Sequence, residues 1–107
     1  MSDQAARAQF GGVAVGFKNE LKTPVIVQGY TIVNNMQKRG QAFIVLPGKL
    51  LADNNVPANS IRFYTIVDAN QPNIVYLRNV DIRVGVQDLG LAIRGMPPKV
   101  VLEPLRP

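Results

Sequence analysis

Hydrophobic positions in this chain come in short runs, and almost every run is closed by Asn, Pro or Gly. Val13, Val15 and Phe17 alternate with Ala14, Gly16 and Lys18, a period of two that sends one set of side chains to each face of an extended strand. After a turn at 19–22, Pro24 opens a β-branched run over 25–33, in which Gly29 marks a bulge or a bend over the core. Residues 34–40 read as a polar hairpin tip, because Asn and Gly supply the left-handed dihedrals of tight turns. A strand over 41–46 stops at Pro47-Gly48, and 49–52 forms a short edge strand. The stretch 53–60 is a loop by composition, followed by a strand over 61–67, a turn over 68–73 and a strand over 74–77. Val80, Ile82, Val84 and Val86 then alternate with Asp81, Arg83 and Gly85, the cleanest one-face-buried pattern in the chain. Leu89, Leu91 and Ile93 repeat it, and a last strand over 99–103 precedes the Pro-bearing end.

Seven to nine short strands at a spacing of about 8–12 residues predict an all-β fold: a small antiparallel β-sandwich, or a partly closed barrel. Val25, Val27, Phe63 and the 80–86 face are the candidate core. At 107 residues the chain makes one domain. Residues 1–12 read as a flexible arm behind a Gly hinge. Residues 13–107 read as the single sandwich domain with a Pro-rich tail.

Composition narrows the chemistry. The chain has no His, no Cys and no Trp, and only seven acidic residues. A Ser-His-acid triad, a Cys nucleophile and a disulfide framework are therefore excluded. Carboxylate pairs such as Asp53 with Asp68, or Asp81 with Asp88, and a Lys-based mechanism stay formally open, but no spacing points to them. The expectation is a protein that is not an enzyme and takes no cofactor.

The formal net charge is +5, which invites an anionic partner. Lys and Arg are nevertheless spread along the chain, and Lys38-Arg39 is the one adjacent pair. A nucleic-acid footprint would cluster them among aromatics, so nucleic acid is disfavoured. No apolar run approaches the ~20 residues of a transmembrane helix. The first residues carry no basic and apolar leader, which makes the cytoplasm the default compartment. Ala6-Arg7-Ala8 has the small-x-small form of a signal-peptidase site, so an exported chain with its leader removed is the alternative.

Three groups are candidate sites. Lys38 and Arg39, with Asn35 beside them, could meet phosphate or an acidic partner, or could be a solvated tip. Asp53, Asn55 and Asp68 could offer oxygen ligands to calcium. The competing reading is that these side chains cap turns, and the Ca²⁺-loop pattern D-x-[DN]-x-[DN]-G is missing. Tyr30, Tyr64 and Tyr76 could form an aromatic platform or pack across strands.

Phe17-Lys18-Asn19, Pro24-Val25-Ile26-Val27-Gln28-Gly29, Arg39-Gly40-Gln41, Pro47-Gly48-Lys49, Asp53-Asn54-Asn55-Val56-Pro57 and Asp68-Ala69-Asn70-Gln71-Pro72, in that order, resemble a family of short uncharacterised bacterial β-rich proteins. The resemblance spans roughly residues 13–104; it implies a compact β fold and assigns no functional residue. The expected function is a structural or protein-binding module, self-associating through strand edges or the N-terminal arm into an oligomer or filament. The alternative is a basic module for a glycan, a lipid headgroup or nucleic acid.

Overall fold

In the computed structural model, which describes residues 12–105, eight strands form two four-stranded sheets. The strands are β1 (Val13–Asn19), β2 (Val25–Val33), β3 (Met36–Val45), β4 (Leu50–Val56), β5 (Ser60–Asp68), β6 (Val75–Val84), β7 (Leu89–Met96) and β8 (Lys99–Pro104). One sheet runs β4-β1-β7-β8 and the other β3-β2-β5-β6. The chain crosses between the sheets after β1, β3, β4 and β6, and both sheets keep open edges, so the fold is a sandwich and not a closed barrel. Most of the arm expected over 1–12 lies outside the described residues, as do the last two residues of the tail.

Alternation builds the core as expected. Val13, Val15 and Phe17 of β1 meet Val25 and Val27 of β2, Val45 of β3, and Tyr64 and Ile66 of β5. Phe17 sits edge-on to Tyr64 with ring centroids 4.7 Å apart, and Phe43 lies 6.1 Å from it. Burying a side chain the size of Phe17 contributes roughly 2–3 kcal/mol.

The departures from expectation each have a local cause. β1 and β7 pair in parallel at the centre of their sheet, so that sheet is mixed. Between these two strands the chain crosses to the second sheet and back twice, through β2-β3 and through β5-β6, and it returns in the same direction. The hairpin tip is only Asn34-Asn35, both at positive φ (51° and 63°), and Met36 to Gly40 already belong to β3. The stretch read as a loop from Asp53 is mostly strand, because β4 runs on to Val56 and Asn55 bulges at φ 62°. The runs at 74–77 and 80–86 are one bulged strand, β6, with Asn79 at φ 50°. Val86 lies beyond it and is exposed.

Phe63 is not in the core. The inward side of β5 is Arg62, Tyr64, Ile66 and Asp68, which puts Phe63 on the outer face. Hydrophobicity favours Phe over Tyr inside, but a buried carboxylate across the sandwich gives the Tyr64 hydroxyl an acceptor.

Two polar side chains close the end of the sandwich where β1 and β5 finish. Asn19, fully buried, donates to the carbonyls of Thr23 and Val45 (2.9 Å each) and accepts from the amide of Leu21. Asp68 accepts from the amides of Asn70 and Gln71, from the Tyr76 hydroxyl at 2.7 Å and from Thr23. The Tyr76 hydroxyl first, then the two amides and Thr23, hold the Asp68 carboxyl below its usual range against the opposing effect of burial. The same hydrogen bond, with burial and the Asp68 charge, pushes the Tyr76 phenol up to about 12.

The unfolded chain binds the Asp68 proton more readily. The contribution of this cluster is therefore full above pH ~4 and is lost as pH falls through the lower folded value. Asp68→Asn is expected to lower the melting temperature at pH 7, and the gap to the parent should close as pH drops from about 4 toward 2. Circular dichroism melts across that range check it; a gap that stayed constant would contradict it.

Candidate functional site

The polar centre of the sandwich is Asp53. It projects inward from β4 with its side chain 2% exposed, and it accepts at Oδ2 from Arg62 Nε and from the Tyr64 hydroxyl, both at 2.8 Å. Arg62 and Tyr64 belong to β5, so this ion pair ties the two sheets together. Burial first, then the Asp53 charge, push the Tyr64 phenol well above its ordinary value. Tyr64 thus stays protonated as a donor, and no buried side-chain polar atom of the described residues is left without a partner.

The guanidinium needs space, and two glycines provide it. A Cβ on Gly29 would stand 3.1–3.4 Å from Tyr64, Asp53 and Arg62, and one on Gly40 would stand 2.5 Å from Arg62 Nη2. Both lie where the β2–β3 pairing slips its register, between Gln28 and Tyr30. Gln28 holds the slip in place by donating from Nε2 to the carbonyls of Gly29 and Gly40 (2.9 Å each) and of Gln41 (3.3 Å). The charge pair therefore sits directly beneath the bend of the β2–β3 hairpin.

Beyond the bend the hairpin leans over the outer face of its own sheet. Gln37 of β3 donates to Asn79 of β6 at 3.1 Å. Those strands occupy opposite edges of the sheet, three strand spacings or about 14 Å apart, which a Gln side chain cannot bridge across a flat sheet. The arched hairpin leaves a groove of about 700 Å³ between Ile32 on its side and Ile61, Phe63 and Arg83 on β5 and β6. Asn59 and Ser60 close one end. Ile32 and Ile61 are about half exposed. The groove has the size of a ligand cleft, and its lining is mixed: Ile32, Ile61, Phe63 and Val84 are apolar, and Asn59, Ser60 and Arg83 are polar groups that could orient what enters.

The charges are divided in an uneven way. Asp53 and Asp68 are engaged as described, Glu20 and Glu103 both pair with Arg94, and Asp88 accepts from the Ala14 amide at 2.9 Å. Among the described residues only Asp81 is a carboxylate without a partner. Arg62 and Arg94 are the paired cations. Lys18, Lys22, Lys38, Arg39, Lys49, Arg78, Arg83 and Lys99 make no ion pair among the described residues. Among the described residues every acid but one is used internally, and the unpaired basic side chains are left at the surface.

The residues singled out from the sequence fall in different places. Lys38 and Arg39 are exposed on β3, and Asn35 is the second residue of the turn that precedes it. Asp53 is in the core and Asn55 forms the β4 bulge. Asp68 lies four residues beyond Tyr64, about 13 Å along β5. Both carboxylates hold internal donors, and among the described residues no group of three or more His, Cys, Asp or Glu is placed to hold a metal ion. The three tyrosines do not share a platform: Tyr64 points inward, Tyr76 packs on the core edge, and Tyr30 pairs with Phe63 on the outer face. Sequence reading missed the groove, because Ile32, Ile61, Phe63 and Arg83 come from three separate runs and meet only through the arch. Among the described residues no helix is long and apolar enough to cross a membrane.

No protein-family model matches the chain, and no curated protein shows significant similarity to it.

Breaking the central pair leaves the Arg62 charge buried without its counter-ion. Asp53→Asn is therefore expected to cost about 3–5 kcal/mol in urea unfolding. Joint replacement by apolar side chains (Asp53→Leu, Arg62→Met, Tyr64→Phe) should recover most of that loss, since the desolvation of both charges is removed with their attraction.

Proposed function

We propose that this chain is a non-enzymatic protein-binding module that makes its contacts in the groove under the β2–β3 hairpin. The observation that carries the reading is the groove itself, a cleft of about 700 Å³ with mixed apolar and polar lining on the outer face of a sheet whose inner face is already filled. Ile32 and Ile61 stand about half exposed there.

The open strand edges support less. Of the four edge strands, β3 carries Lys38 and Arg39, β6 carries Arg78 and Arg83, and β8 begins at Lys99 and ends at Pro104, whereas β4 shows exposed Leu50 and Leu51 and has the inward Asp53 as its one charge. Charge and proline on an edge oppose strand addition. A second copy of the chain is also a poor occupant, because it would bring eight unpaired cations and a single unpaired carboxylate from its own described residues to a basic surface.

Panning a random-peptide display library against the immobilised domain tests the reading. Selected peptides should bind the parent and lose binding to Phe63→Ala and to Ile61→Ser, whose melting temperatures show that they fold. Leu50→Ser, on the opposite sheet, should bind as the parent does. The reading fails if no peptide enriches, or if enriched peptides bind the groove variants unchanged.

A further inference from the structure

Resting on the groove as the binding site, we infer that its ligand is an extended acidic peptide segment in which a carboxylate side chain lies two residues from an apolar one. The pairing of β5 with β6 sets that spacing. Arg83 is directly opposite Ile61, and Phe63 is the next residue of β5 on the same face. The diagonal from Arg83 to Phe63 is therefore about 7–8 Å. Side chains at positions i and i+2 of an extended peptide share a face and stand about 6.6–7 Å apart. A carboxylate over Arg83 thus brings the apolar side chain two residues away over Phe63, with Ile32 of the arch covering it.

Three further features fit this ligand. Arg83 is exposed and makes no ion pair among the described residues, so its fork of donors is open to a bidentate carboxylate. The free cations of the described residues outnumber the free carboxylates eight to one, which attracts an acidic partner. Phe63 is the one aromatic of the groove lining, beside the aliphatic Ile32, Ile61 and Val84 and the polar Asn59, Ser60 and Arg83, which suits a single apolar side chain next to a charge better than a series of stacked bases. Asp81 is the opposing feature. It pairs with Phe63 across the strands and shares a face with Arg83, so it repels an incoming carboxylate.

The test is a double-mutant cycle with a fluorescein-labelled, end-capped peptide Ser-Glu-Ser-Leu-Ser and its Gln counterpart, titrated at low salt by polarisation. Arg83→Gln should weaken the Glu peptide about five- to tenfold, and the Gln peptide should bind the parent more weakly by a similar factor. The two changes together should cost no more than either alone. Asp81→Asn should tighten the Glu peptide about two- to threefold. Equal binding of the Glu and Gln peptides would overturn the acidic ligand and leave the groove reading standing. Equal losses from Lys18→Gln and Arg83→Gln would also overturn it, because they would mean diffuse attraction. Tighter binding of labelled oligothymidylate that depends on Arg83 and Phe63 would replace the peptide with single-stranded nucleic acid. No binding of either peptide, together with no enrichment in the library selection, would overturn the groove as a protein-binding site.

Discussion

An ion pair in the middle of an apolar core sets the shape of this protein. Asp53 reaches inward from one sheet, and Arg62 and Tyr64 reach it from the other, so neither sheet can shift without separating charges where water cannot replace them. Apolar packing alone specifies this relation poorly: Val against Val tolerates a slide that a 2.8 Å hydrogen bond does not. The aliphatic core supplies the apolar burial, and the polar cluster adds a directional link between the two sheets.

The same cluster shapes the outer surface at one remove. The Arg62 side chain must lie somewhere, and it lies against Gly29 and Gly40. Glycine there weakens β2 and β3 and allows the register to slip, and the slip starts the arch. Gln28 then bonds three carbonyls around the slip and keeps it from flexing freely. A groove formed in this way belongs to the framework of the domain, although its hairpin wall stands out from the body. Pre-formed walls lower the ordering cost of binding.

Sequence alone made the strand count, the sandwich and most of the aliphatic core legible, because alternation with a period of two is a local property that burial on one face enforces. Gly29 was legible as a bulge for the same reason. What was illegible depends on long-range pairing. Composition made Asp53-Asn54-Asn55 look like a loop, yet Asp53 is drawn into a strand by partners nine and eleven residues away. Phe63 looked like core, and Tyr64 stood between an aromatic platform and cross-strand packing. Tyr64 is the one that turns inward, where its hydroxyl, unlike a Phe ring, donates to the buried Asp53 carboxylate. The five asparagines at positive φ (Asn34, Asn35, Asn55, Asn59 and Asn79) show why Asn-rich stretches misled. Asn marks a left-handed residue, and such residues occur inside bulged strands as well as in loops.

The division of charge follows from the same economy of acids. With seven acidic residues, a sandwich that uses one to join its sheets and another to close its connections has few left for the surface. Asp68 holds the turn amides of Asn70 and Gln71, Asp88 holds the Ala14 amide of β1, and Glu20 and Glu103 converge on Arg94. The basic surface is thus a consequence of how the fold is held together as much as a feature added for a partner. That distinction bears on recognition. Scattered cations draw acidic molecules in without choosing among them, whereas Arg83 beside Ile61 and Phe63 offers a defined charge next to a defined apolar surface, and selectivity requires that combination.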